Sequence, residues 1–161
     1  MNLKNNFFNL KNFLIKFFST SFGLGYIPFI PGIIGVIFGT LVAYLIHPLI
    51  FWQKGLITLA LIMIAIPLTT EAEKLFQEKD CKKIIIDETI GLLIATIWFS
   101  YLPSTMFLLI LIVYGLFDAL KIYPANIIER INGGWGIVMD DVVAGGYTAF
   151  ALILFTLFLI G

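Results

Sequence analysis

Charge is scarce in this chain. Asp, Glu, Lys and Arg make up 12% of its 161 residues, about half the share of an ordinary soluble domain. Ten basic and ten acidic residues cancel, so there is no basic stripe of the kind a nucleic-acid backbone requires, and nucleic acid is excluded as a partner. Cys81 is the only cysteine, which rules out an intrachain disulfide and argues against a cysteine-based metal site. His47 is the only histidine, too few for chemistry that needs two imidazoles. Strict apolar–polar alternation is missing from the hydrophobic runs, which excludes a membrane β-barrel. Internal repeats, linkers and low-complexity tracts are missing too, so residues 1–161 read as one domain.

What the chain has is apolar surface. Hydrophobic residues reach 60%, and the mean hydropathy is +1.03. A domain this small buries only part of its surface, so the remainder needs lipid as its solvent. Backbone amides inside a bilayer must pair within their own segment, which makes these runs helices. The expected fold is all-α: a polytopic membrane bundle of about five spans, at residues 33–51, 56–70, 84–102, 104–120 and 142–160. Pro103 marks the break between the third and fourth, because it lacks an amide donor. Trp52, Trp98 and Tyr101 suit interfacial positions. Ahead of the spans, Lys4, Lys11 and Lys16 alternate with Phe7, Phe8, Phe13, Phe17 and Phe18. This pattern predicts an amphipathic helix lying in the interface, not a cleaved signal.

Lysine and arginine set the orientation. They gather in the N-terminal segment, after the second span (Lys74, Lys79, Lys82, Lys83) and after the fourth (Lys121, Arg130), whereas the intervening loops carry only Lys54. A cytoplasmic N-terminus and an outward C-terminus follow. On that topology Asp87 and Glu88 stand at the cytoplasmic entrance to span three, Asp118 at the end of span four, and Asp140 and Asp141 at the entrance to span five. The basic residues alone fixed the topology, so the convergence of five carboxylates is independent of it. Acids at membrane depth are costly and point into a bundle or wet cavity. Gathered together they repel one another unless a cation or protons intervene, and a hard oxygen set suits Mg2+. Helix capping offers a simpler account of the Asp87–Glu88 and Asp140–Asp141 pairs. It fails for Asp118, which sits where the macrodipole disfavours a negative charge. Glu71, Glu73, Glu78 and Asp80 share a lysine-rich loop and read as a solvated surface.

Two glycine-bearing stretches border the same face. Gly23-Leu24-Gly25-Tyr26-Ile27-Pro28-Phe29-Ile30-Pro31-Gly32 precedes span one. Its backbone is able to approach a phosphate, or serves simply as an irregular connection. Asn132-Gly133-Gly134-Trp135-Gly136 precedes Asp140 and reads as a flexible loop able to close on a phosphorylated head group. Lys121 and Arg130 are candidate phosphate partners, though basic residues belong on this face for topology alone. His47 lies at the opposite face and reads as a packing residue. Cys81 has no arginine at phosphatase-loop spacing.

Four of these stretches, in order from Phe22 to Gly146, resemble the motifs of the phosphatidylglycerophosphatase A family. Residues 23–35 are similar to its glycine/proline motif, and Ile86-Asp87-Glu88-Thr89-Ile90-Gly91 to its Asp-Glu-x-x-Gly motif. Phe117-Asp118-Ala119-Leu120-Lys121-Ile122-Tyr123-Pro124 resembles its Phe-Asp-x-x-Lys-Pro-x-Pro motif, and residues 133–145, with Asp140 and Asp141, match best. The resemblance implies Mg2+-dependent removal of the terminal phosphate from phosphatidylglycerophosphate in a bacterial inner membrane. Asp87, Glu88, Asp118, Asp140 and Asp141 would be the metal and catalytic carboxylates, and Lys121, Gly133, Gly134 and Gly136 would hold the substrate. This chain departs from the family at Ile33 and Val36, where hydroxyl residues are usual, at Gly115, where arginine is usual, and at Ile122, where proline is usual. The lost hydroxyls and guanidinium would have donated to phosphate oxygens.

The expected chemistry is metal-assisted phosphomonoester hydrolysis, with the acyl chains left in lipid and the head group at the cytoplasmic face. Two alternatives stand beside it: a non-catalytic relative serving as a membrane interaction protein, and an ion-coupled transporter, which would want its acids nearer the midplane. Phosphatidyl transfer from a CDP-activated lipid is disfavoured, since an Asp-Gly-x-x-Ala-Arg run is absent.

Overall fold

A computed structural model describes residues 3–99 and 104–160. Among them lie seven α-helices and no strand: α1 (Leu3–Ser19), α2 (Pro31–Ile46), α3 (Phe51–Phe76), α4 (Ile86–Thr96), α5 (Ser104–Leu120), α6 (Ala125–Ile128) and α7 (Gly134–Ile160). A short 3-10 turn, Leu24–Tyr26, leads into α2. Pro31 opens α2 at a position whose amide has no helical partner anyway.

The sequence predicts about five spans; among the described residues two helices have spanning length. α3, with 26 residues, and α7, with 27, run for about 39 and 40 Å at 1.5 Å per residue, beyond a hydrocarbon core of roughly 30 Å. Both are apolar enough to cross. α2 has 16 residues and α5 has 17, short of the roughly 20 needed for a full crossing. α4 differs most from expectation, with 11 residues instead of a span over 84–102. It ends in a turn at Ile97 and Trp98, and Ile90, Gly91, Leu92, Leu93, Ala95 and Thr96 are all buried. Its continuous apolarity therefore reflects a core position with neighbours on every side. The break assigned to Pro103 and the interfacial place of Tyr101 lie outside the described residues.

Small residues let the helices close around α4. Gly35, Gly39 and Ala43 recur every four residues on the buried face of α2. A Cβ on Gly39 would lie 2.9 Å from the Thr89 Cα, and one on Gly35 would lie 3.0 Å from the Ile85 Cβ. Where α4 crosses α7, a Cβ on Gly145 would run into the Gly91 carbonyl. Small residues at these crossings let the helix backbones approach closely. The polarity of the outside agrees: Met63, Ile64, Leu108, Ile112, Phe150 and Phe158 are exposed, Phe158 to 85%. Apolar side chains turned outward over several helices are in keeping with a membrane-associated surface.

The start of α7 also differs from expectation, at Gly134 instead of Val142. The Gly134 amide donates to the Thr70 hydroxyl at 2.7 Å, and that hydroxyl donates in turn to the Ile66 carbonyl at 2.7 Å. A side chain 64 positions away thus satisfies one of the free amides at the head of α7. α1 presents Phe8, Leu10, Phe13, Leu14 and Phe18 outward and buries Ile15 against Ala72, Cys81, Ile84 and Ile137. Its Lys16 ammonium sits 5.3 Å from the Phe76 ring centroid. This is the arrangement expected of an amphipathic helix at the interface.

Candidate active site

Four helices bring the acids together. The start of α4 supplies Asp87 and Glu88, the last turn of α5 supplies Asp118, and α7 supplies Asp140 and Asp141 from its seventh and eighth residues. Two turns inside α7, the last pair cannot be capping its helix, so that explanation lapses for Asp140 and Asp141. The N-terminal end of α2 closes the fourth side, where Gly32 and Gly35 make room for Glu88: a Cβ on Gly32 would lie 3.4 Å, and one on Gly35 3.0 Å, from a Glu88 carboxylate oxygen.

All five carboxylates line one cavity of about 410 Å³, together with Lys121, Asp80, Lys82 and the apolar wall of Phe29, Ile30 and Ile84. Asp87, Asp140 and Asp141 are buried. One oxygen from each of Asp87, Glu88 and Asp141 falls within a 4.8 Å group able to hold a metal ion. Two buried oxygens there, Asp87 Oδ1 and Glu88 Oε2, have no hydrogen-bond partner. Leaving buried carboxylate oxygens unsatisfied is expensive, so these two fit a role as cation ligands. The third carboxylate is fixed from behind, since the buried Tyr114 hydroxyl donates to Asp141 Oδ1 at 2.8 Å.

Asp140 has a different partner. The Lys121 ammonium donates to Asp140 Oδ2 and lies 3.7 Å from Glu129 Oε2. Lys121 follows α5 directly, in a left-handed conformation with φ 42°. Burial alone would lower its pKa, but the hydrogen bond to Asp140 and the charges of Asp140, Asp118 and Asp141 outweigh that and raise it above the ordinary lysine value. Lys121 is therefore a cation fixed by its ion pairs beside the carboxylates of the cavity.

Sequence reasoning missed three participants. Asp80, expected on a solvated surface, lines the cavity. Its side chain is exposed, yet the protein crowding it raises its carboxyl pKa, against Lys121 and with help from Glu129, Asp118 and Glu73. Tyr114 was read as part of an apolar run, although it stands four residues before Asp118 and so on the same helix face. Glu129, which no motif singles out, lies 3.7 Å from the Lys121 ammonium. The surface reading does describe Glu71, whose pair with Lys74 at 2.7 Å is exposed.

Other candidates lie elsewhere. Gly133, Gly134 and Gly136 are buried against α3 and the α6 loop, meeting Thr70, the Ile66 carbonyl and the Ile131 carbonyl respectively; none lines the cavity. Arg130 is exposed, and its carbonyl accepts from the Lys79 ammonium at 3.4 Å. His47 sits at the far end of α2, beside the buried Lys54, which donates to the Phe99 carbonyl at 2.9 Å. Cys81 is buried in the core, and burial pushes its thiol pKa up, which makes it inert as a nucleophile. Ile33, Val36 and Gly115 all line a second cavity alongside the first.

An all-helical, membrane-associated protein with a cation-ready carboxylate group beside a lysine is the class that fold and site define. The sequence profile of phosphatidylglycerophosphatase A matches residues 17–156, and the chain belongs to that family. It is 28% identical to phosphatidylglycerophosphatase A of Escherichia coli strain K12, over 81% of this chain and 77% of that one. It is 27% identical to a Bacteroides thetaiotaomicron protein provisionally named phosphatidylinositol-3-phosphatase, over 93% of this chain and 98% of that one. No solved structure matches. Family and relatives alike carry the names of phospholipid phosphatases.

Proposed function

We propose that this chain hydrolyses the terminal phosphomonoester of phosphatidylglycerophosphate, giving phosphatidylglycerol and phosphate, at the cytoplasmic face of a bacterial inner membrane. The observation that carries the proposal is the group of Asp87, Glu88 and Asp141 oxygens, two of them unpartnered, in one cavity with Lys121. These three carboxylates would hold Mg2+. Bound there, the ion would supply neutralisation of phosphate charge and acidification of water.

The protein's own groups divide the remaining work. The Lys121 ammonium, held between Asp140 and Glu129, is aimed at a phosphate oxygen and stabilises charge there as the ester bond loosens. Asp140 keeps that ammonium in place. Tyr114 orients Asp141 through its 2.8 Å hydrogen bond. Asp118 and Asp80 line the cavity outside the three-carboxylate group, and one of these two carboxylates accepts the proton of the attacking water. Water's oxygen joins phosphorus, the bond from phosphorus to the glycerol oxygen breaks, and that oxygen is protonated on leaving. The outward-facing apolar side chains of the helices would keep the acyl chains in lipid.

Phosphatidylinositol 3-phosphate is the second substrate to weigh, because the relative bearing that name aligns with 93% of this chain. Phosphate release from both lipids by the purified protein separates the two. Faster turnover of phosphatidylglycerophosphate supports the proposal. Faster turnover of the inositol lipid moves the assignment to it, and turnover of neither favours a non-catalytic membrane protein.

A further inference from the structure

Beside the acid cavity runs a groove of about 480 Å³ between α2 and α5. Gly32, Ile33 and Asp118 belong to both. Beyond Asp118 every lining residue is apolar. α2 contributes positions 32, 33, 36 and 37, and α5 contributes 111, 112, 115 and 118, each set lying on one helix face. From Asp118 to Leu111 the groove descends seven residues, about 10 Å along the axis. Its lips, Ile33, Ile37 and Ile112, are among the outward-facing apolar side chains, so it opens sideways toward lipid. Gly115 leaves it clear, since a Cβ there would meet nothing within 4 Å. Another apolar cavity, lined by Phe18, Phe22, Phe38 and Leu61 among others, shares no residue with the acid site.

We infer that the α2–α5 groove is the lateral door of the site and holds the glycerol end of an acyl chain while the phosphate reaches the carboxylates. The inference rests on the phospholipid-phosphatase reading and adds the route and the tail site. A polar cavity joined at one carboxylate to an apolar groove has the polarity pattern of a single phospholipid turned sideways. A lipid using this door never lifts its tails out of hydrocarbon, and its charged phosphate travels only along the interface into the bundle. A water-soluble phosphate ester gains nothing from the groove, so the protein prefers two-tailed substrates to glycerol phosphates.

The test uses full-length protein in detergent and phosphatidylglycerophosphate carrying a photoreactive diazirine on the acyl chain near the glycerol. Adducts mapped by mass spectrometry are expected on residues 33–37 and 111–115, in excess over Met63 and Ile64, which are just as open to lipid. Gly115→Trp fills the groove and lowers those adducts by roughly tenfold or more; Ile112→Trp, on the rim, serves as the second variant. Labelling that spreads evenly over the outer helices, or that ignores both variants, overturns the groove assignment even if phosphate is released. Concentrated, variant-sensitive labelling without any phosphate release supports the groove and instead sinks the catalytic reading.

Discussion

Replacing Asp141 with asparagine is expected to move activity and stability in opposite directions. The substitution keeps shape and keeps an acceptor for the Tyr114 hydroxyl, which now donates at 2.8 Å, but removes one charge from three carboxylates grouped within 4.8 Å. At that separation and an effective dielectric constant near 20, each pair of like charges costs roughly 3.5 kcal/mol. A cation or a shared proton relieves most of this in the native protein, so a metal-free gain of about 1 kcal/mol is the share expected to survive. In a metal chelator, Asp141→Asn should therefore melt at or above the wild-type temperature. Adding Mg2+ at about 100 times its Kd should raise wild-type stability by about 2.7 kcal/mol and the variant by much less. Turnover should fall roughly 100- to 1,000-fold, the scale of losing one charge-stabilising group in a dry site. Thermal unfolding with and without metal, beside phosphate release, reads all three. A variant that melts well below wild type without metal, or keeps full metal-dependent turnover, would refute the reasoning.

Lys121→Met should lower kcat/KM about 100-fold, measured as phosphate release, while an unchanged value would remove Lys121 from phosphate binding. The raised Lys121 pKa also has a sign: its stabilising contribution is complete below the unfolded value of 10.5 and is lost only as pH rises through the higher folded value, so urea unfolding should show no Lys121-dependent loss between neutral pH and about 10. Thr70→Val removes the acceptor for the Gly134 amide and should cost about 1 kcal/mol by urea unfolding; no loss would mean that water replaces the hydroxyl. Gly91→Ala drives a methyl into the Tyr114 ring, with an expected cost of about 1–3 kcal/mol and a fall in turnover larger than that of Tyr114→Phe. If Gly91→Ala matches wild type in both, Tyr114 is not positioned by that crossing.

The meeting of the acids was legible in the sequence because the topology expected from lysine bias gathered Asp87, Glu88, Asp118, Asp140 and Asp141 at one face, and the five do line one cavity. The limits of the helices were not. Gly133-Gly134-Trp135-Gly136 has the composition of a loop, yet Gly134 begins α7 because Thr70, distant in sequence, caps it. Gly134 and Gly136 serve as places where α7 presses on backbone. α4 looked like a span because a helix buried on every side and a helix in lipid share one composition. Asp80 was hidden by its lysine neighbours, and Tyr114 by its apolar run, although its spacing from Asp118 was a usable signal. Lys54, counted as a loop charge, is buried in the first turn of α3, which only the position of the Phe99 carbonyl explains.

The central claim is metal-dependent hydrolysis of a phospholipid phosphomonoester at the Asp87–Glu88–Asp141 group. Inorganic phosphate released from phosphatidylglycerophosphate by the purified, folded protein, with Mg2+ and then with excess chelator, tests it most directly. The account predicts release that chelation abolishes and added Mg2+ restores. Release that persists in chelator, or none with any divalent metal from protein shown to be folded, would contradict it.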